Sequence, residues 1–179
     1  MPMKNDHAME QLPFLKNVIL LQDIAEKYLE VLLKALHLQN YRKGDIVIRE
    51  GEEGNSMFVL FKGKVSITKR MTLFADDQQR GQFDKTIIKL KDTDFAFFGE
   101  MSLCGVGKDH EVRSATVTAE TDCLLGELSA DKIRQMVQEH QDFGTIFYRN
   151  LANVLADRLR KANRDVLKLT TALTLALEE

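Results

Sequence analysis

Two short stretches hold the residue types that could do chemistry. Phe98-Gly99-Glu100-Met101-Ser102-Leu103 carries a glycine, a carboxylate and a hydroxyl, and Arg113-Ser114-Ala115-Thr116-Val117 adds an arginine and two more hydroxyls. A glycine lets the backbone come close to a ligand. An arginine is a fixed cation whose planar fork of donors suits phosphate oxygens. A carboxylate accepts from paired hydroxyls, and it can also hold an arginine in place. A phosphate and a sugar diol presented together need that set. A surface turn with an exposed ion pair uses the same residues, so the choice rests on the elements around them.

Other chemistries find less support. Metal catalysis needs several histidines and a carboxylate converging on one ion. The four histidines, His7, His37, His110 and His140, fall in an N-terminal tail, near two expected helix ends and in a loop, with no HxH pair. Cys104 stands near Lys108 and His110, a setting that can lower a thiol pKa. Packing is the plainer role for Cys104, and for Cys123. The chain is therefore expected not to be an enzyme and to carry no cofactor or metal.

Composition sets the frame. The 179 residues suit one domain with an appendage, or two small ones, and the 44 % hydrophobic content supports a real core. A net charge of −2 gives no general pull towards nucleic acid or an anionic membrane. Two cysteines do not make a disulfide framework, so reduced thiols in a cytoplasm are expected. Met1 to Gln11 is polar, unlike a signal peptide, and no uninterrupted apolar run approaches the ~20 residues of a spanning helix. A cytoplasmic protein without a membrane partner is expected.

The elements that must position the two stretches can be read in order. Residues 1–10 form a polar tail. Phe14 to Leu21 packs as a short turn or helix. Asp23 is an N-cap for a helix to about His37, with Ile24, Tyr28, Val31, Leu32 and Ala35 at helical spacing. Strands follow at Ile46–Ile48, Met57–Phe61, Val65–Thr68 and Thr86–Leu90, with Lys62-Gly63-Lys64 as a tight hairpin turn and residues 72–85 as a longer hairpin connection. Val112–Thr118 and Asp122–Leu128 close the sheet. Short strands separated by glycine turns predict an antiparallel barrel or a jelly roll.

From Ser129 the period becomes helical. A short helix runs to about His140, Gly144 breaks it, and a final helix runs from about Thr145 to the end. Tyr148, Ala152, Leu155, Leu159, Ala162, Val166, Leu169, Leu173 and Ala176 alternate spacings of four and three, a heptad seam with no polar interruption. A barrel offers too little surface to cover that length, so pairing with the same helix of a second copy is expected.

The order of these elements resembles the cyclic nucleotide-binding domain. The resemblance rests on the helical lead-in, Lys43-Gly44-Asp45, Glu50-Gly51-Glu52-Glu53-Gly54, Lys62-Gly63-Lys64, Phe98-Gly99-Glu100, Arg113-Ser114-Ala115-Thr116-Val117 and the long helix, over roughly residues 14 to 165. Regulators of the catabolite activator protein type are the most similar. The resemblance implies a mainly β fold, a β jelly roll (double-stranded β-helix) with N-terminal helices and a long C-terminal helix. Residues 1–144 would form the binding domain and 145–179 the dimerisation helix.

The site implied by the resemblance is a phosphate-binding cassette. Arg113 would pair with the cyclic phosphate and Ser114 would add a hydroxyl donor. Glu100 would accept from the ribose 2′-hydroxyl, and the backbone amides of Gly99, Glu100, Met101 and Ser102 would line the pocket at the start of a short helix. The base contact would come from the long helix, where Ala162 offers no donor and Asn163 is the candidate, with a solvated position beside the seam as its other reading. The expected ligand is cAMP, with cGMP or another cyclic nucleotide held open.

Two departures stand out. The loop from Cys104 to Val112, with Gly105, Gly107, Lys108, Asp109 and His110, looks longer than usual and could reposition Arg113 or cover the pocket. The chain also closes with the long helix, leaving no room for the helix-turn-helix of the regulators it resembles, so direct DNA binding is not expected. The reading is a sensor module that signals through a homodimer to an unknown downstream protein. The alternative is a fold that lost its ligand and acts as a dimeric interaction module.

Overall fold

The computed structural model describes residues 11–73, 81–104 and 112–177. The polar tail with His7, the tip of the long hairpin and most of the Cys104–Val112 loop, including His110, lie outside the described residues.

Two four-stranded antiparallel sheets face each other. The strands are β1 His37–Tyr41, β2 Ile46–Ile48, β3 Ser56–Lys62, β4 Lys64–Leu73, β5 Gly81–Lys91, β6 Phe97–Phe98, β7 Thr116–Ala119 and β8 Cys123–Ser129. One sheet has the order β1-β8-β3-β6 and the other β2-β7-β4-β5. Helices α1 Leu12–Leu15, α2 Glu26–Ala35, α3 Ala130–Glu139 and α4 Gln141–Leu177 flank them. This is the expected mainly β jelly roll with helices at both ends.

Strand β3 shows why two cores form. Its side chains alternate between faces. Met57, Val59 and Phe61 join the cluster under the helices, with Leu29, Leu32, Leu33, Ile133 and Phe147. Phe58 and Leu60 join the cluster between the sheets, with Val65, Phe98, Val117 and Leu125. A central strand with both faces covered reads as a continuous apolar run.

Several expectations need correction. Lys62-Gly63-Lys64 is no hairpin, because β3 and β4 belong to different sheets. Gly63 has φ 100° and a Cβ there would stand 2.5 Å from the Asp122 carbonyl oxygen, so the residue is a tight crossing between layers. Asp23 does not cap a helix. Its φ is 63°, α2 begins at Glu26, and its carboxylate instead accepts from Arg149 at 2.9 Å. His37 opens β1, a strand that its mixed polar sequence did not announce. Ser129 does cap α3, accepting from the Asp131 N–H at 3.2 Å.

Gly144 does not break the helix either. The break is at His140, which is extended (φ −138°, ψ 92°), and Gly144 lies inside α4. A Cβ on Gly144 would meet Val137 at 2.9 Å, so the glycine permits the close corner between α3 and α4. Helix α4 has 37 residues, about 55 Å at 1.5 Å per residue. Its first turns bury Phe143, Phe147, Leu151 and Val154, a stripe beside the heptad seam rather than the seam itself. Asn150 fixes it there, donating from Nδ2 to the carbonyls of Leu20 and Gln22 at 3.2 and 2.7 Å. Beyond Arg158 the described helix is exposed throughout, including the seam residues Leu159, Val166, Leu169 and Leu173. No described helix is long and apolar enough to cross a membrane.

Candidate functional site

The two chemical stretches meet on the face of the second sheet. Gly99 turns the chain after β6 with φ 80°, and Glu100–Leu103 follow as one turn of 3-10 helix. Ser102 holds that turn. Its N–H donates to the Gly99 carbonyl at 3.2 Å and its hydroxyl donates to the same carbonyl at 2.7 Å. The Arg113 backbone is fixed from the other side. Its N–H donates to the Glu52 carbonyl at 2.8 Å and its carbonyl accepts from the Gly51 N–H at 2.9 Å.

The Arg113 guanidinium is wedged between two glycines. A Cβ on Gly54 would stand 2.1 Å from Arg113 Nε, and one on Gly99 would stand 3.1 Å from Nη1. Nη1 donates to the Ser56 carbonyl at 2.7 Å and Nη2 to the Ser56 hydroxyl at 3.0 Å. That hydroxyl donates in turn to Glu127 at 2.7 Å. Burial lowers the pKa of Arg113, and the Glu127 carboxylate works in the opposite sense. Arginine stays charged through such shifts, so a half-buried cation waits beside the turn.

A cavity of about 270 Å³ opens here. Gly99, Glu100, Met101, Ser102, Arg113 and Ser114 all line it, as do Ile67, Lys69, Ile87 and Arg158. Glu100 is buried, and Arg158 from α4 donates to its carboxylate. Met101 is exposed at the mouth, 3.6 Å from the Ser114 hydroxyl. Asn163 is not among the lining residues and is exposed on α4. Five residues along a helix turn it well away from the face of Arg158.

Sequence reasoning missed the residues that hold Arg113. Ser56 and Glu127 sit in strands with no motif to mark them. Arg158 lies five residues before the base-contact candidate Asn163, and no spacing rule ties it to Glu100, 58 residues earlier. Cys104 is not activated: burial raises its thiol pKa, and Glu100 adds to that. His110 and Lys108 lie outside the described residues. Among the described residues, no three His, Cys, Asp or Glu side chains converge as metal ligands.

Comparison with known proteins gives one consistent result. The family model for the cyclic nucleotide-binding domain matches residues 38–140. The cGMP-dependent protein kinase 2 of Homo sapiens is 32 % identical over 170 residues, covering 92 % of this chain and 20 % of the kinase. The cAMP-activated global transcriptional regulator Vfr of Pseudomonas aeruginosa is 34 % identical over 140 residues, covering 78 % of this chain and 59 % of the regulator. The chain thus spans less than two thirds of either relative. Among solved structures, the Thermus thermophilus catabolite activator protein superposes with a TM-score of 0.67 at 25 % identity, covering 85 % of this chain and 63 % of that one. A cyclic nucleotide-binding domain from Methylobacillus flagellatus gives 0.71 at 20 % identity, covering 93 % of this chain and 86 % of that one, a likeness of fold.

Proposed function

The chain belongs to the cyclic nucleotide-binding domain family, and on that footing we propose that it is a regulatory module that binds a cyclic nucleotide in the cavity between Gly99–Ser102 and Arg113–Ala115. The observation that carries this reading is the Arg113 guanidinium, wedged over Gly54 and Gly99 at one end of a cavity whose buried carboxylate is Glu100. A cyclic phosphate would pair with Arg113 and with the Ser114 hydroxyl. The amides of the Gly99–Met101 turn would face the same anion, and Glu100 would accept from the ribose 2′-hydroxyl.

cAMP and cGMP share the phosphate and the ribose, so this machinery serves both. cAMP, which the sequence resemblance put first, has a relative in the regulator from Pseudomonas aeruginosa, and cGMP has one in the human kinase. The module works through its two parts, a binding unit over 1–144 and the helix over 145–179, whose first turns are anchored in that unit as far as Val154. The exposed seam from Leu159 onward pairs with a second copy. In a parallel pair, Arg158 and Asn163 flank the seam as positions that face each other across it. Asn163 of one copy would then stand beside the cavity mouth of the other. Nucleotide binding changes how the helix sits, and a downstream protein reads that change.

Calorimetric titration of nucleotide-free protein with cAMP and with cGMP tests this. Saturable binding of one nucleotide per chain is expected for at least one of them. Absence of heat with both, in folded protein, would contradict the reading and leave a ligand-free interaction module.

A further inference from the structure

The cavity lining falls into two unlike sets of side chains. Gly99, Glu100, Arg113 and Ser114 make up a set suited to phosphate and ribose, and the rest of the lining includes Ile48, Ile67, Ile87 and Val117 together with Lys69. Strand register explains that second set. Ile67 pairs with Val117 and Thr68 with Thr116, so Lys69, two residues on from Ile67, shares its face, and both line the cavity. Ile67 also pairs with Ile88, whereas Thr68 pairs with Thr86, leaving Ile87 as a bulge residue in the same lining.

With phosphate and ribose taken up by the first set, as the proposed function has it, the base would lie against the second. Guanine shows two acceptors, O6 and N7, on one edge, whereas adenine shows N7 beside an amino donor. An ammonium donates and cannot accept, so it pairs with the guanine edge and repels the adenine amino group. The other charged side chains lining the cavity are Arg113, Arg158 and Glu100, and Glu100 is already bonded to Arg158. Among the described lining residues, no side chain offers adenine a free carboxylate or amide oxygen.

We propose that Lys69 is a specificity-determining residue whose ammonium selects a guanine cyclic nucleotide over an adenine one, a proposal that rests on the cyclic-nucleotide reading above. The isoleucines cover the faces of the base without discriminating between purines, and the lysine reads its edge.

Titration of the full chain with cGMP, cIMP and cAMP, repeated on Lys69→Met, tests this. Hypoxanthine keeps O6 and N7 but lacks the 2-amino group of guanine. cGMP and cIMP should both bind roughly tenfold more tightly than cAMP. Lys69→Met should bring the three to near parity by weakening cGMP and cIMP. Equal binding of cGMP and cAMP by the unaltered chain overturns the proposal and leaves the cyclic-nucleotide reading intact. Tight cGMP with weak cIMP also overturns it, since the 2-amino group would then be the feature read. An equal loss for all three in Lys69→Met overturns it as well, placing the ammonium on the phosphate. The ranking in the unaltered chain decides the matter without the variant. Binding of none of the three by folded protein removes the cyclic-nucleotide reading and this proposal together.

Discussion

Arg158 on the long helix donates from Nη1 to the carboxylate of Glu100, 58 residues earlier in the chain, and its Nη2 reaches the Phe97 carbonyl at 3.3 Å. Its guanidinium also lies 5.2 Å from the Phe97 ring centroid. Glu100 is the side chain expected to receive the ribose. A nucleotide that engages this carboxylate therefore competes with the helix for it, or shares it. Either way, the proposed occupancy of the cavity would be coupled to the position of α4 through one buried group.

Arg158→Ala should leave Glu100 buried without its cation. Arg158 is itself 44 % exposed, so the solvent-screened cost is on the order of 1–2 kcal/mol rather than that of a fully buried pair. Thermal unfolding should show a lower Tm for the variant, and saturating nucleotide should narrow the gap by giving Glu100 a new donor. A Tm identical to that of the unaltered chain would show that the pair contributes nothing.

The glycine wedge gives a sharper test of Arg113 than deletion alone. Arg113→Ala removes a charge-assisted contact of about 1.5–3 kcal/mol, roughly one to two decades of affinity. Gly54→Ala keeps the charge but drives a methyl into the space of Arg113 Nε. It should weaken nucleotide binding in the same direction with the fold intact by circular dichroism. Unchanged affinity in both variants would refute the role of Arg113.

Leu159 is 61 % exposed at the first seam position beyond the packed part of α4. Leu159→Asp should convert a dimer to a monomer in light scattering, because a carboxylate would enter an apolar seam. A monomeric unaltered chain would contradict the seam.

The fold was largely legible because β jelly-roll strands are short and their glycine turns are explicit. Gly51, Gly63 and Gly99 all adopt positive φ, as turn or crossing positions require. Local spacing cannot say which sheet a strand joins, so Gly63 passed for a hairpin. Nor can it distinguish a glycine that ends a helix from one that lets two helices touch, which is the case at Gly144. The candidate site was legible as far as chemistry and sequence proximity coincide: Gly99–Ser102 and Arg113–Ser114 line one cavity. Ser56, Glu127 and Arg158 reach the same place from distant strands and a helix, and only the tertiary fold brings them there.

The hydrogen bond from the Tyr28 hydroxyl to Asp142, at 2.7 Å, ties α2 to the start of α4. It holds the Asp142 carboxyl below its ordinary value of 3.8. A lowered carboxyl pKa stabilises the fold above the ordinary value, and that contribution is lost as pH falls through the folded value. Tyr28→Phe should therefore lower the urea midpoint at neutral pH, and the difference should shrink in acid. A difference that does not depend on pH would assign the effect of Tyr28 to packing alone.

The most direct test of the site is amide NMR of the labelled chain titrated with a cyclic nucleotide. The largest shift changes should fall on Gly99, Glu100, Met101, Arg113, Ser114 and Ala115, with Arg158 following as α4 responds. A second, more polar cavity of about 470 Å³ shares Arg113 with the first and is lined also by His37, Glu52, Asn55 and Glu127 among others. Changes confined to that cavity, or absent altogether, would contradict the account.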